Sequence, residues 1–357
     1  MRLNTLQVAS LRNLTSLQLE LSPDINLFVG PNGAGKTSIL EAAFLLSHGR
    51  SFRSNAREAL IQRGQSSLTV FSEVSHGERT SRVGMERSSR GWRARLDGED
   101  VSLGSALSAT AVTCFEPGSH ALIAGGSDER RRFMDWGVFH VEQTYLVAWR
   151  RYQRALTQRN RLLRTAEISD ALYEPWELEL ATAGTAMSQW RADYLARLKP
   201  CLEPLLDRLL PELGTPTLSY RRGWSEGMVD LAEALVQMRD RDRSRGHTQQ
   251  GPHRADWSLA WTDAPAREHL SRGQEKLAAL ACILAQSVLY RDTCGDWPVL
   301  CLDDLASELD QAHRDAALSW LAGVDAQILL TGTAAPGQGM ACGRRFHVEQ
   351  GHVTPLL

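Results

Sequence analysis

The sequence has no long apolar run, no paired cysteines and few lysines. No stretch approaches the roughly 20 uncharged apolar residues that cross a bilayer, so we expect neither a transmembrane helix nor a membrane partner. Residues 1–8 enter a strand pattern without the apolar core of a signal peptide, which favours a cytoplasmic location. The six cysteines are scattered without a C-x-x-C pair, which indicates neither a zinc site nor a disulfide framework.

Lysine is scarce: among 40 basic residues, only Lys36, Lys199 and Lys276 are lysines. Arginine supplies the rest, and its planar guanidinium is the better bidentate donor to phosphate. The formal net charge is −2, so the composition is compatible with a nucleic-acid partner without establishing one. A length of 357 residues predicts about two domains.

A glycine-rich segment lies between a buried-type strand and an amphipathic helix. Its pattern, G-x-x-x-x-G-K-[ST], supplies backbone N–H groups that curl around an anion, a lysine that reaches the β- and γ-phosphates, and a hydroxyl that holds Mg²⁺. Lys36 is the predicted catalytic contact to phosphate, and Thr37 is a predicted metal ligand. The predicted nucleotide-binding residues are Gly30, Pro31, Asn32, Gly33, Ala34, Gly35, Lys36, Thr37 and Ser38.

The predicted secondary structure changes in type twice along the chain. Residues 1–120 have the pattern of an N-terminal lobe with the P-loop and a meander of antiparallel strands. Residues 121–246 are mainly helical, and residues 247–357 return to alternating strands and helices. The sequence therefore predicts an α/β P-loop domain that is split by an inserted, mainly α-helical arm domain.

The helical arm is rich in arginine. An apolar seam with coiled-coil-like spacing predicts two antiparallel helices joined near residues 165–173. Shorter helices, broken by Pro200, Pro204 and Pro211, are expected to follow. Residues 128–164 carry nine arginines against four acids, which fits either a solvated helix face or a surface that contacts DNA.

Two later segments define the class of nucleotide-binding protein. Leu270–Lys276 places Ser271, Gly273 and Gln274 at the start of a helix, as a second anion site. A buried strand then ends at Asp303 and Asp304, where a P-loop enzyme needs a carboxylate to hold Mg²⁺ through water. The order of P-loop, signature, acidic strand and S-x-L-D predicts an ABC-type ATPase that binds ATP, with Asp303 and Asp304 in catalytic positions.

The arrangement resembles the RecF family, whose ATPase heads are related to those of Rad50 and the SMC proteins. The resemblance covers nearly the whole chain. It is carried by the P-loop and by Leu11-Arg12-Asn13-Leu14, Gly49-Arg50-Ser51-Phe52-Arg53, Asp128-Glu129-Arg130-Arg131-Arg132-Phe133-Met134-Asp135, Gly251-Pro252-His253-Arg254-Ala255-Asp256, Leu270-Ser271-Arg272-Gly273-Gln274-Glu275-Lys276 and Leu302-Asp303-Asp304-Leu305-Ala306-Ser307-Glu308-Leu309-Asp310.

The resemblance implies a mechanism and partners. The signature serine of one copy would cap the γ-phosphate held by the P-loop of another, so that ATP drives formation of a homodimer. The family implies that this dimer binds double-stranded DNA and duplex/single-strand junctions. It also implies work with RecR and RecO to place RecA on single strands coated by SSB, in DNA repair and replication restart.

Two details predict slow ATP hydrolysis. Asp304 stands where transporter-type ATPases have glutamate, so its carboxylate reaches about one C–C bond less towards an attacking water. The loop Thr331-Gly332-Thr333 has no histidine where transporters supply one. The alternatives are a transporter ATPase subunit, which the missing histidine and the long span between P-loop and signature disfavour, and an SMC-like effector ATPase, which would need an appended catalytic domain.

The roles of several residues stay open at this stage. His253 either caps a strand or contacts nucleotide or DNA. Arg130–Arg132 either pair within their own helix or face DNA. Gln62 and Gln65 are near the position of a nucleotide-sensing glutamine, but the sequence does not select either one.

Overall fold

A computed structural model describes residues 1–53, 59–165, 169–225, 227, 230–264, 266, 269–333 and 343–356. The chain forms two compact units. Unit 1 contains Met1–Ala121, Cys201–Glu212 and Leu270–Leu357, and unit 2 contains Leu122–Pro200 and Leu213–His269.

Strands dominate the first part of the chain, helices the middle, and both occur in the last part. The strands are β1 (Arg2–Leu3), β2 (Thr5–Leu11), β3 (Leu14–Glu20), β4 (Ile25–Val29), β5 (Ser67–His76), β6 (Arg79–Ser88), β7 (Gly91–Leu96), β8 (Glu99–Val101), β9 (Val112–Phe115), β10 (Pro216–Arg221), β11 (Asp256–Trp261), β12 (Val299–Leu302), β13 (Ile328–Gly332), β14 (Arg344–Glu349) and β15 (His352–Leu356). The α-helices are α1 (Lys36–His48), α2 (Leu103–Ser108), α3 (Ala121–Ala124), α4 (Ser127–Val141), α5 (Tyr145–Leu163), α6 (Glu174–Leu209), α7 (Leu231–Gln237), α8 (Arg239–Arg245), α9 (Arg272–Cys294), α10 (Leu305–Glu308) and α11 (Gln311–Leu321).

The P-loop strand lies inside a six-stranded sheet of unit 1 with the order β15-β14-β4-β13-β12-β9. The pairings from β14 to β9 are parallel, and the β14–β15 hairpin is antiparallel. β4 and β12 are almost completely buried, and apart from Asn26 their residues are apolar, as expected for strands covered on both faces. Since the carboxyl ends of parallel strands meet at one edge, the segments that follow β4, β13 and β12 come together there.

A second sheet of unit 1 is antiparallel and follows the order β3-β2-β5-β6-β7-β8, with β1 paired to β5. Strands β5, β6 and β7 pair in sequence order and form its central meander. Asp97 and Gly98 connect β7 to β8 with positive φ at both positions, which is the conformation of a type I′ hairpin turn. The predicted meander of antiparallel strands is therefore confirmed.

Helix α9 is the core helix of unit 1. By length and composition it could cross a membrane, but 72% of its apolar window is buried inside the protein. The hydroxyls of Thr113 and Ser287 lie 2.9 Å apart and join β9 to α9 in the interior. Burial in the core accounts for the apolar sequence of this helix.

Helix α5 and the part of α6 that lies in unit 2 run antiparallel, as predicted. Near the start of α5, Tyr145 packs edge-on against Trp190, with ring centroids 6.0 Å apart. Further along α5, Arg159 pairs with Glu177 at 3.0 Å. Residue numbers that rise along α5 thus meet numbers that fall along α6, which requires opposite chain directions.

Parts of the helical region differ from the predictions. Pro200 and Pro204 lie within α6 and do not break it, because the surrounding leucines are buried and hold the helix despite the lost backbone hydrogen bonds. Strand β10, unrecognised in the sequence, pairs antiparallel with β11. Both strands belong to unit 2, and so do residues 247–269, which were predicted to belong to the C-terminal lobe.

His253 is a structural residue of unit 2. Its Nε2 lies 3.0 Å from the Thr248 carbonyl oxygen and its Nδ1 lies 2.6 Å from the Tyr152 hydroxyl. Since a carbonyl can only accept, Nε2 donates and Nδ1 accepts from the tyrosine, which fixes a neutral tautomer. Burial lowers the pKa of His253 to about 4. The structure therefore favours the reading in which this histidine secures the turn Pro252–Arg254.

The neutral His253 predicts a pH-dependent stability. In the unfolded chain its pKa is near 6.5, whereas the folded protein keeps it neutral down to about pH 4. Protonation of His253 therefore favours unfolding between these two pH values. As pH falls from about 6.5 to about 4, the free energy of unfolding loses at most about 3 kcal/mol, the contribution of the neutral histidine. His253→Gln can make both hydrogen bonds without titrating. Urea unfolding should give a flatter stability–pH profile for this variant than for the wild type, and parallel profiles would contradict the prediction.

Candidate nucleotide site

The glycine-rich loop turns the chain from β4 into α1. Gly33 and Gly35 have left-handed φ values of 79° and 116°, which residues with a Cβ adopt at a cost. A Cβ on Gly30 would lie 2.0 Å from the Val348 carbonyl oxygen, so β14 closes directly against the loop. The loop and the N-terminus of α1 thus have the backbone conformation of an anion-binding cradle.

Lys36, the first residue of α1, folds back over the loop. Its Nζ donates hydrogen bonds to the carbonyl oxygens of Gly30 at 2.7 Å and Pro31 at 2.9 Å. The lysine is only 8% exposed, whereas Pro31, Asn32 and Gly33 are open to solvent. The ammonium charge is therefore held beside a cradle that an anion can reach.

Asp303 is the buried carboxylate of this edge. The Thr37 hydroxyl donates to it at 2.9 Å, and the Thr331 hydroxyl, from β13, donates at 2.7 Å. Burial raises the pKa of Asp303 above its ordinary range, against the opposing effect of these two hydrogen bonds. The structure thus brings Asp303 to the P-loop residues Lys36 and Thr37. Thr37 and Asp303 are 266 residues apart along the chain.

Asp304 follows with a strained backbone. Its φ is 49°, a left-handed conformation that non-glycine residues rarely adopt, and it is the N-cap residue of α10. Its backbone N–H donates to the Thr331 hydroxyl at 2.9 Å. Thr331 therefore positions both aspartates, a role that sequence reasoning missed because it considered the loop only for a missing histidine.

Asn13 braces the loop from the first β-strands. Its Nδ2 donates to the Ala34 carbonyl oxygen at 3.1 Å, and its Oδ1 accepts from the Ser38 hydroxyl at 3.1 Å. The Gly351 N–H donates to the same Ala34 oxygen at 2.7 Å. The resemblance quoted Asn13 within Leu11–Leu14, but only the fold shows that it holds the P-loop.

An ion pair secures α1 behind the loop. Glu41 is completely buried and accepts from Arg12, with the Arg12 Nη2 to Glu41 Oε1 distance at 2.8 Å. The Ser51 hydroxyl also donates to Glu41, and it accepts from the Arg53 backbone N–H at 2.9 Å. Gly49–Arg53, a second segment that carries the resemblance, therefore joins Leu11–Leu14 in holding the P-loop helix.

The signature segment forms a capped helix start. Ser271 is the N-cap of α9 and accepts from the Gln274 N–H at 3.3 Å, while the Gln274 Oε1 accepts from the Ser271 N–H at 2.9 Å. This reciprocal pattern is a capping box. Ser271, Arg272 and Gly273 are exposed, and the Gln274 Nε2 donates to Glu212 at 3.1 Å. The structure thus gives Ser271 and Gln274 partners outside the P-loop.

The remaining candidate residues differ in their ion-pair and hydrogen-bond partners. Arg131 and Arg132 pair within α4, with Asp128 and Glu129. Arg130 instead binds Asp256 of β11, with the closest distance at 2.7 Å. The Gln62 side chain donates to the Thr15 hydroxyl, and Gln65 donates through its backbone to the Gln62 carbonyl, so neither is shown at the P-loop.

Comparisons with known proteins show the family of the chain. A sequence model described as the RecF/RecN/SMC N terminal domain matches residues 2–338. The chain is 48% identical to the DNA replication and repair protein RecF of Xanthomonas euvesicatoria pv. vesicatoria (strain 85-10), over 98% of this chain and 97% of that protein. The chain belongs to the RecF family. It is also 39% identical to the RecF protein of Pseudomonas putida (strain W619), over 99% of this chain and 98% of that one.

Solved structures agree with the assignment to the RecF family. A structure of the recombination mediator protein RecF with ATP, in the RecFOR pathway, superposes with a TM-score of 0.90 at 27% identity, covering 99% of this chain and 97% of that one. An SMC head bound to the C-terminal winged-helix domain of ScpA shares the fold, with a TM-score of 0.59 at 13% identity, covering 100% of this chain and 97% of that one. The predicted family and the predicted ABC-like α/β head are therefore confirmed.

The close contact at Gly30 predicts a stability effect in this RecF-family chain. Gly30→Ala would place a Cβ against the Val348 carbonyl, and backbone must move to relieve the clash. We expect a loss of about 1–3 kcal/mol in the free energy of unfolding, measured by chemical denaturation. Gly84→Ala is the matched control, since its Cβ would make an ordinary contact at 3.6 Å with Phe71. Equal effects of the two substitutions would contradict the prediction.

Proposed function

We propose that this RecF-family chain is an ATP-dependent, DNA-binding recombination mediator that uses slow ATP hydrolysis as a switch. The observation that carries the proposal is the meeting of the P-loop hydroxyl of Thr37 with the buried carboxylate of Asp303, 2.9 Å apart. A hydroxyl and a carboxylate at the mouth of a P-loop are the protein contribution to a Mg²⁺–nucleotide site. The solved RecF relative with ATP supports the choice of nucleotide.

The residues present fit Mg²⁺ and ATP. Thr37 and Asp303 offer oxygen atoms only, the ligand type that Mg²⁺ takes from proteins alongside water and phosphate. The buried charge of Asp303, with its raised pKa, would be stabilised by a cation. When bound, the metal neutralises charge on the β- and γ-phosphates. Gly30–Gly35 would cradle the phosphates through backbone N–H groups, and Lys36 would exchange its two carbonyl partners for phosphate oxygens.

ATP is proposed to join two copies of the chain. The chain has one P-loop and one signature segment, and both present solvent-exposed residues, at 31–33 and 271–273. Ser271 and the N-terminus of α9 offer hydrogen-bond donors and a favourable helix dipole to a γ-phosphate. A homodimer in which each signature caps the other copy's nucleotide would bury both, so ATP would stabilise the dimer by mass action.

Hydrolysis is proposed to be slow. Asp304 is the candidate general base, and its carboxylate is shorter than the glutamate of transporter-type enzymes. Thr331 occupies the end of β13, where its hydroxyl holds Asp303 and the Asp304 backbone. A base with a shorter side chain and a loop at 331–333 without a histidine suit a timed release of the dimer.

Helix α5 of unit 2 is the proposed basic surface for DNA. It contains five arginines and no acidic residue. Arg151 pairs with Glu179 and Arg159 is buried, whereas Arg150, Arg154 and Arg161 are exposed. Spacings of four and seven residues place these three on one helix face, and within the described residues they make no ion pair. Exposed guanidinium groups suit the phosphates of double-stranded DNA and duplex/single-strand junctions.

The pathway is proposed from the relatives. A solved relative is named a recombination mediator of the RecFOR pathway, and curated relatives are named DNA replication and repair proteins. We therefore propose RecR, with RecO, as partners in the cytoplasm, and assistance in loading RecA at gaps.

The nucleotide-dependent dimer predicts nucleotide-dependent DNA binding. Fluorescence anisotropy of a gapped duplex should show tight binding with ATP, and at least about tenfold weaker binding with ADP or without nucleotide. Lys36→Met, which removes the phosphate contact, and Ser271→Arg, which blocks the signature, should both lose the ATP effect. Lys199→Met is the control for lysine removal. Affinity that is indifferent to nucleotide and to both variants would contradict the proposal.

The DNA surface predicts a change in salt dependence. Arg150→Gln should weaken binding of a duplex about evenly across sequences, and should lower the slope of log affinity against log salt by about one. Arg151→Gln removes the same charge from the neighbouring position, but its guanidinium is already paired with Glu179. Equal changes in slope for the two variants would indicate a general charge effect in place of a contact.

A further inference from the structure

A partly buried ion pair links the signature helix to the segment that follows the acidic strand. The Lys276 Nζ, in the second turn of α9, lies 2.7 Å from the Glu308 Oε2 at the end of α10, and their side chains are 27% and 13% exposed. Lys276 is one of only three lysines in the chain. Its partner Glu308 belongs to a segment that carries four carboxylates within eight residues, those of Asp303, Asp304, Glu308 and Asp310.

On the carboxylate side, Glu308 shares one short helix with Asp304. The Asp304 carbonyl oxygen accepts from the Ser307 N–H at 2.9 Å and from the Glu308 N–H at 3.3 Å. Because α10 is only four residues long, we expect a displacement of Glu308 to reach Asp304 through these backbone hydrogen bonds. Asp304 has a strained φ of 49°, so its conformation depends on such neighbours.

On the cation side, Lys276 shares a rigid helix start with Ser271. The capping box fixes the first turn of α9, and the Gln274 side chain is held by Glu212. A change at Ser271 would therefore move Lys276 with the helix and would not be absorbed by local fraying.

We propose that the Lys276–Glu308 ion pair is a positioning device that couples occupancy of the Ser271 site to the placement of Asp304. Lys276 and Glu308 act through other residues and touch neither phosphate nor the attacking water. The inference rests on the proposed function, since it assumes that Asp304 is the base and that a phosphate reaches Ser271. It adds the physical link by which a second copy of the chain at the signature would promote hydrolysis in the first.

The test is a double-mutant cycle on the full-length chain. Lys276→Met and Glu308→Gln are each expected to lower kcat for ATP hydrolysis, with gapped DNA present, by about 10- to 100-fold, since small misplacements of a reacting group have effects of this size. KM and the affinity for a fluorescent ATP analogue should stay within about twofold. The double variant should lose no more than either single variant, because the two side chains act as one unit. Lys276→Arg should keep most of the activity, and Lys199→Met is the matched control.

Other outcomes overturn the inference. A kcat within twofold of the wild type in both single variants would exclude a positioning role, and so would losses that multiply in the double variant. Loss of ATP-analogue binding along with kcat would indicate a structural role of the pair. If the wild type itself neither binds nor hydrolyses ATP, the proposed function fails. If the wild type binds and hydrolyses ATP and the Lys276 and Glu308 variants do so equally well, this inference alone fails.

Discussion

The site of this protein depends on one buried carboxylate. Asp303 ends a central strand in the interior of unit 1, where an unpaired charge is costly, and two threonine hydroxyls stabilise it. One hydroxyl belongs to the P-loop helix and the other to the strand that lies between the two motifs. Because β13 separates β4 from β12, a single hydroxyl can reach the carboxylate and the next backbone N–H together. Loop, metal position and candidate base are thereby set by the same strand order.

The charged side chains of the protein fall into two groups, one buried and paired and the other exposed. Glu41, Arg159 and Arg191 are buried and paired, and they hold helices in place. Arg150, Arg154 and Arg161 are exposed on a helix without acids. An arginine-rich composition with a net charge near zero thus contains two populations, one that stabilises the fold and one that is available for a polyanion.

Sequence reasoning predicted much of this structure, for identifiable reasons. The P-loop, the signature cap and the acidic strand are local patterns, and each appears at the element that the pattern predicts. The bracing contacts of Asn13, Arg12 and Thr331 were not predictable in this way, since each joins segments that are distant along the chain. Helix α6 continues through Pro200 because buried leucines outweigh local propensity, and β10 was missed because a short strand is defined by its partner β11.

The strand order has a consequence for how the chain acquires its site. Both sheet neighbours of β4 come from residues 328–349, about 300 positions later. During synthesis on the ribosome, β4 cannot pair until almost the entire chain has been made. Its apolar side chains and backbone hydrogen-bonding groups stay without their sheet partners until then. Long-range parallel pairings of this kind form slowly, and until they form they leave aggregation-prone apolar surface exposed. The helices between Leu122 and Pro200 emerge earlier, and the contacts between α5 and α6 join residues that are at most about 45 positions apart, such as Tyr145 and Trp190. The order of synthesis therefore favours a helix pair that forms before the nucleotide site exists.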